Sequence, residues 1–143
     1  MRNSLLLIIL TICFSMFVFP AYAGSYKGSG SAGYLRQDSL DKSRTNIYGR
    51  YGSRKGYLKR DSLLKDRVNI YNKKGERKGY LRKDMLFKDH TNVFDETGER
   101  KGYLKKDSLF DDRTNIYDKE GDRKGYLRKD SLFKDRTNII KND

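Results

Sequence analysis

A unit of 23 residues recurs along this chain: Gly-Tyr-Leu begins at Gly33, Gly56, Gly79, Gly102 and Gly125. Self-similarity at a fixed period is the mark of a repeat architecture and outranks any local motif. Five copies span 33–55, 56–78, 79–101, 102–124 and 125–143, the last cut to 19 residues. Gly, Tyr and Leu at the first three positions never vary. Nor do the sixth-position Asp (Asp38, Asp61, Asp84, Asp107, Asp130), the eighth-position Leu and the fourteenth-position Asn. Each copy therefore meets the same surroundings.

Every copy holds two strand-like runs. Arg113-Thr114-Asn115-Ile116-Tyr117 is β-branched and aromatic, which suits a pleated surface. Arg123-Lys124-Gly125-Tyr126-Leu127-Arg128-Lys129 is flanked by cations, and Asp118-Lys119-Glu120-Gly121 between them makes a turn with Gly where a positive φ is wanted. Helices are ruled against, because neither run keeps a 3.6-residue apolar period. Alternation puts Leu127 with Gly125 on one face and Tyr126 with Lys124 and Arg128 on the other. Thr114 and Ile116 likewise oppose Asn115 and Tyr117. The predicted core is Leu and Ile, joined by loop residues Leu109 and Phe110 and their equivalents, with partly exposed Tyr rows covered by Lys stems.

The fold expected is therefore all-β, five 23-residue β-hairpin repeats. The chain starts on a second strand and ends on a first, at Thr137-Asn138-Ile139-Ile140. Pairing that segment with Gly33-Tyr34-Leu35 closes the hairpins into a flower-like or propeller-like ring without free edges. The alternative is an open hairpin stack with edges guarded by Lys and Arg.

Ahead of the repeats, Arg2 precedes an apolar run from Leu5 to Phe19, and Ala21-Tyr22-Ala23 has the small-x-small form of a cleavage site. Residues 1–23 read as a secretory signal peptide, too short in their apolar run for a spanning helix, which needs about 20 residues. Residues 24–32 read as a flexible leader and 33–143 as the repeat domain, exported to the periplasm or beyond. Cleavage leaves 120 residues (143 − 23) without Cys or Pro, so disulfides do not contribute. Their formal charge is +12 (31 basic, 19 acidic), a balance that favours anionic partners.

The pattern Tyr-Asp-x-x-Gly-x-Arg-x-Gly-Tyr, carried by Tyr117-Asp118-Lys119-Glu120-Gly121-Asp122-Arg123-Lys124-Gly125-Tyr126, resembles the short repeats of bacterial β-flower proteins. More loosely, it is similar to the Tyr-Asp repeats of bacterial toxin shells. The first copy departs with Tyr48-Gly49 and the third with Phe94-Asp95. The β-flower resemblance implies hairpin petals around a central axis and supplies no catalytic residues.

Catalytic chemistry finds little support. A nucleophile needs a base held by an acid, and the only histidine, His90, stands where other copies have Arg44, Arg67, Arg113 and Arg136. It reads as a substituted surface cation. Zinc lacks ligands. A calcium loop built from Asp118, Glu120 and Asp122 is not kept in the first copy, where Gly49, Tyr51 and Ser53 stand. The sixth-position Asp reads as a turn residue bonding its own backbone. Five near-equivalent copies of every acid do not offer the differentiated carboxylate pair that glycoside hydrolysis uses. No cofactor, metal or small-molecule substrate is expected.

What remains is the cationic strand. Arg54, Lys55, Lys59 and Arg60 surround Tyr57; Arg77, Lys78, Arg82 and Lys83 surround Tyr80; Arg100, Lys101, Lys105 and Lys106 surround Tyr103; Arg123, Lys124, Arg128 and Lys129 surround Tyr126. Repeated, these groups form a basic surface with interleaved rings, suited to tracking a polyanion. The function expected is an exported, non-enzymatic module binding an anionic envelope polymer, glycan or surface. The alternatives are a structural or protein–protein interaction module, and a solvated face whose cations pair with acids such as Asp66 and Asp112.

Overall fold

A computed structural model describes residues 30–142. The signal peptide expected over 1–23 lies outside the described residues, as does the leader up to residue 29. Ten strands follow in order: β1 (Ser31–Gln37), β2 (Arg44–Gly49), β3 (Arg54–Arg60), β4 (Arg67–Asn72), β5 (Arg77–Lys83), β6 (His90–Asp95), β7 (Arg100–Lys106), β8 (Arg113–Asp118), β9 (Arg123–Lys129) and β10 (Arg136–Lys141). Each pairs antiparallel with its chain neighbours, and β1 pairs with β10, so the sheet closes into a barrel. Five hairpins stand around one axis and no open edge is left. The first strand takes in Ser31 and Ala32, the end of the expected leader.

Closure repeats the internal geometry. Across the seam Leu35 faces Thr137 and Gly33 faces Ile139; within the chain Leu58 faces Thr45 and Gly56 faces Ile47. The Gln37 amide donates to Asp135 O at 3.1 Å, as the Arg60 amide donates to Ser43 O at 3.2 Å. Because Ile47 meets Gly56 rather than Leu58, the register steps by two residues (58 − 56) in each copy. That stagger tilts the strands and lets the sheet close.

Alternation carries the Leu and Ile side chains inward as predicted. Leu35, Ile47, Leu58, Ile70, Leu81, Val93, Leu104, Ile116, Leu127 and Ile139 are all buried, one from each strand. Each contributes about 1.5–3 kcal/mol of burial at most. Gly56 explains the invariant glycine: a Cβ there would lie 2.1 Å from Tyr71 O on β4. In the short turns, Gly121 takes φ +95° and its amide donates to Asp118 O, as the turn chemistry requires.

The core does not include the loop residues. Leu109 is 84 % exposed and Phe110 about half exposed, against the expectation that they join the interior. Strand residues already fill the barrel, and the Asp107 carboxylate accepts from the Leu109 and Phe110 amides at 2.9 and 3.1 Å. The loop is wound on itself beyond the rim, with its apolar tip outside.

Candidate functional site

The sixth-position Asp and fourteenth-position Asn bond each other in every copy. Asp61 Oδ1 accepts from the Leu63 and Leu64 amides, and Asp61 Oδ2 accepts from Asn69 Nδ2 at 2.8 Å. Asn46–Asp38, Asn92–Asp84, Asn115–Asp107 and Asn138–Asp130 repeat the bond at 2.6–2.9 Å. The donated hydrogen bonds hold the Asp38, Asp61 and Asp84 carboxyls at about 2 instead of 3.8. At Asp38 the Asn46 side chain is the largest cause; at Asp61 and Asp84 it is the Leu64 and Phe87 amides. These carboxylates are committed to holding loops.

On the outer wall, neighbouring rings stack across four of the five hairpins: Tyr34 on Tyr48, Tyr57 on Tyr71, Tyr80 on Phe94 and Tyr103 on Tyr117, all with centroids 4.9 Å apart, while Tyr126 faces Ile140 in the fifth. Arginines cover them. Arg44 lies 4.3 Å and Arg54 5.2 Å from the Tyr57 centroid; Arg67 and Arg77 do the same at Tyr80, Arg113 and Arg123 at Tyr126. Across the seam, Arg136 sits 4.2 Å from the Tyr34 centroid. At Tyr103, Arg100 keeps its place and His90 stacks at 5.0 Å where the other copies put Arg. The covering groups are guanidiniums rather than the expected Lys stems. The strand tyrosines are thus engaged by the protein itself, whereas Tyr51 in the first short turn is 91 % exposed.

A β-bulge explains why Lys does not cover the rings. In β9 Gly125 faces Ile116 and Arg123 faces Tyr117, which leaves Lys124 unpaired in the ladder. Arg123 thereby takes the outer face, and Lys124 leaves the face it was expected to share with Tyr126. Its Nζ lies 2.8 Å from Asp118 Oδ2. Lys101 pairs with Asp95 at 3.2 Å, and Lys78 with Glu96 at 3.6 Å. Lys55 has the same bulge position in β3. Glu99 raises the Lys101 pKa and Asp118 raises that of Lys124. These lysines belong to the short-turn end, among its acids.

The fourth-position cations also find acids. Arg36 pairs with Asp135 at 2.7 Å, Arg82 with Asp66 at 2.9 Å, Lys59 with Asp41 at 3.6 Å and Lys105 with Asp89 at 4.0 Å. Asp66 thus pairs as the solvated-face alternative requires. Asp112 and Arg128 form no such pair among the described residues.

The fifth position differs. Arg60, Lys83, Lys106 and Lys129 end the odd-numbered strands with the inward parity of Leu58, Leu81, Leu104 and Leu127. All four are exposed and have no ion-pair partner among the described residues. They ring the barrel's long-loop end, where Gln37 holds the fifth place. A cavity of about 490 Å³ opens there, floored by Leu35, Leu58 and Leu81, walled by Thr45, Val68 and Thr137, and rimmed by Arg60 and Lys129. Loop residues Lys42 and Lys134 line it too, and Lys65 and Lys88 hold the same loop position in other copies. Sequence reasoning missed these loop lysines, although their recurrence two residues after the invariant Leu was a usable signal.

Of the expected binding residues, the fold therefore gathers Arg60, Lys83, Lys106 and Lys129 at one mouth. It spreads Lys59, Arg82, Lys105 and Arg128 over the wall and lays Arg54, Arg77, Arg100 and Arg123 against Tyr57, Tyr80, Tyr103 and Tyr126. Lys55, Lys78, Lys101 and Lys124 go to the opposite end. Comparison with family models, with curated proteins and with solved structures finds no match to the chain.

Proposed function

We propose that this protein is an exported, non-enzymatic binding module that engages an anionic polymer or envelope surface through the long-loop mouth of its barrel. The observation that carries this reading is the gathering of Arg60, Lys83, Lys106 and Lys129 with Lys42, Lys65, Lys88 and Lys134 at one end, all without ion-pair partners among the described residues. Cations left unpaired in one place add their fields over the mouth, and each one that meets an anionic group releases a counterion. Most wall cations face acids and the turn-end arginines face rings, while Arg128 on the wall and Lys73 and Lys74 at a short turn also lack ion-pair partners among the described residues. The five Asp–Asn braces support a non-enzymatic role, because they commit the repeated carboxylates to loop amides.

The test is retention on immobilised dextran sulfate across a salt series. Strong retention at low salt that falls steeply with salt supports the reading. No retention at low salt, or retention that ignores salt, overturns it.

A further inference from the structure

The cavity at the long-loop mouth departs from the fivefold pattern. It lies around β1, where the ring of inward fifth-position cations is interrupted: Gln37 stands between Arg60 on β3 and Lys129 on β9. Gln37 is shorter and neutral, and its Nε2 donates to Lys42 O at 2.7 Å, which ties the side chain to its own loop. The space opens on that side. Leu58 and Leu35 beneath it are the least buried of the ten core residues, at 7 and 5 % exposure. All ten are nonetheless buried, so the barrel is closed below and the cavity is blind.

We propose that this cavity binds a small amphipathic anion, with its apolar body on the Leu35, Leu58 and Leu81 floor and its anionic head at the rim between Arg60 and Lys129. This inference does not rest on polymer binding at the mouth. At about 490 Å³ the space falls within the roughly 300–1,000 Å³ of small-molecule sites. The blind floor keeps a linear chain from threading the barrel, and a segment charged along its length would find nothing on the leucines to replace its lost water. An amphipathic anion meets neither obstacle. Its body leaves water for the leucine floor, while its head stays at the rim among cations.

The loops around the mouth are rich in aspartate, so the sign of the ligand has to be read on the lining itself. The sixth-position carboxylates bond loop amides and Asn. Asp41, Asp66 and Asp89 pair with Lys59, Arg82 and Lys105 on the outer wall. Asp111 and Asp112 belong to the fourth loop, which does not line the cavity. Asp135 is the one acid in the lining among the described residues, and its Oδ2 lies 2.7 Å from Arg36 Nε. Lys42, Arg60, Lys129 and Lys134 stand against it. The lining is therefore cationic whatever the charge of the end as a whole.

Octanoate is the probe, with 1-octanol and acetate as controls, read by titration calorimetry and by the rise in thermal midpoint that a ligand of the folded state produces. A single octanoate binds per chain. Octanol, which lacks the charge, binds at least about tenfold more weakly, and acetate, which lacks the apolar body, at least about a hundredfold. Thr45→Phe/Thr137→Phe fills the cavity from two partly exposed wall positions and abolishes binding. Arg60→Gln/Lys129→Gln, at exposed positions outside the core, brings octanoate down toward octanol and leaves octanol unchanged. No octanoate binding, or octanol binding as tightly as octanoate, overturns the inference. So does binding of several octanoates per chain, or binding that survives the Phe pair, because either assigns the ligand to the crown of exposed loop-tip leucines, such as Leu86 and Leu109. If the Phe pair does not fold, a preference for octanoate over octanol that Arg60→Gln/Lys129→Gln leaves unchanged overturns it. Dextran sulfate retention is measured in parallel. Retention without octanoate binding overturns the cavity inference alone, and octanoate binding without retention supports it while overturning the polymer reading.

Discussion

Leu35 and Thr137 lie opposite each other across the seam between the first and last strands, in the register that Leu58 and Thr45 keep across a covalent turn. The pairing is therefore set by the inward side chains and the repeated bulge, not by the connecting residues. The closing interface should hold as well as the four that the chain itself joins.

Alanine substitutions separate the seam from the crown. Ile139→Ala empties a buried position and lowers stability by about 2–5 kcal/mol. Leu132→Ala, at an exposed loop tip of the same copy, changes it by no more than about 0.5 kcal/mol. Urea unfolding midpoints measure both. Equal, small effects would mean that the seam is open in solution.

Two glycines should rank in a set order. Gly56→Ala drives a methyl toward the Tyr71 carbonyl, where a Cβ would lie at 2.1 Å, and destabilises by about 1–3 kcal/mol or more. Gly75→Ala has room around it but forces alanine to φ +85°, at about 1–2 kcal/mol. Thermal midpoints should fall in the order parent, Gly75→Ala, Gly56→Ala.

The braced carboxylates predict how stability depends on acid. The folded Asp38, Asp61 and Asp84 titrate at about 2, against 3.8 for the free group. A depressed folded pKa binds fewer protons than the unfolded chain, so its contribution is fully present above about pH 3.8 and is lost as pH falls through about 2. Denaturation midpoints across pH 2–7 should show a plateau and then a decline on the acid side. Asn92→Ala, which removes one donor from Asp84, raises the folded pKa toward 3.8 and so should make that decline smaller, with its onset unchanged and its end moved upward from about 2; a decline of unchanged size would show that the Asn side chain does not hold the carboxylate.

The fold was legible because it is written five times. Leu127 and Ile116 share a face by simple alternation, and the half-copies at the two ends of the chain supply matching strands for closure. The braces were half legible: an invariant Asp reads as a turn residue, but its bond to an Asn eight residues on emerges only when the hairpin folds. Two features were not legible. Hydropathy classes Leu109 with Leu127, although one caps a loop beyond the rim and the other sits in a barrel that strand residues already fill. Alternation placed Lys124 beside Tyr126, and the bulge after Arg123 breaks that alternation by one residue. Lys124 thus passes to Asp118 and the ring to Arg123. The binding rows consequently sort by geometry, and the row at Arg60, Lys83, Lys106 and Lys129 is the one in which no member has an ion-pair partner among the described residues.

The role of that row is tested most directly by removing equal charge from two places. Arg60→Gln/Lys83→Gln/Lys106→Gln/Lys129→Gln strips the mouth, and Arg36→Gln/Lys59→Gln/Arg82→Gln/Lys105→Gln strips paired wall cations. Both variants lose four charges, so net charge alone cannot separate them. Dextran sulfate retention against the logarithm of salt is the measurement. The mouth variant should lose roughly 0.7–0.9 of slope for each contact removed, with the wall variant staying near the parent; a wall variant that loses as much as the mouth variant, or more, would contradict the account.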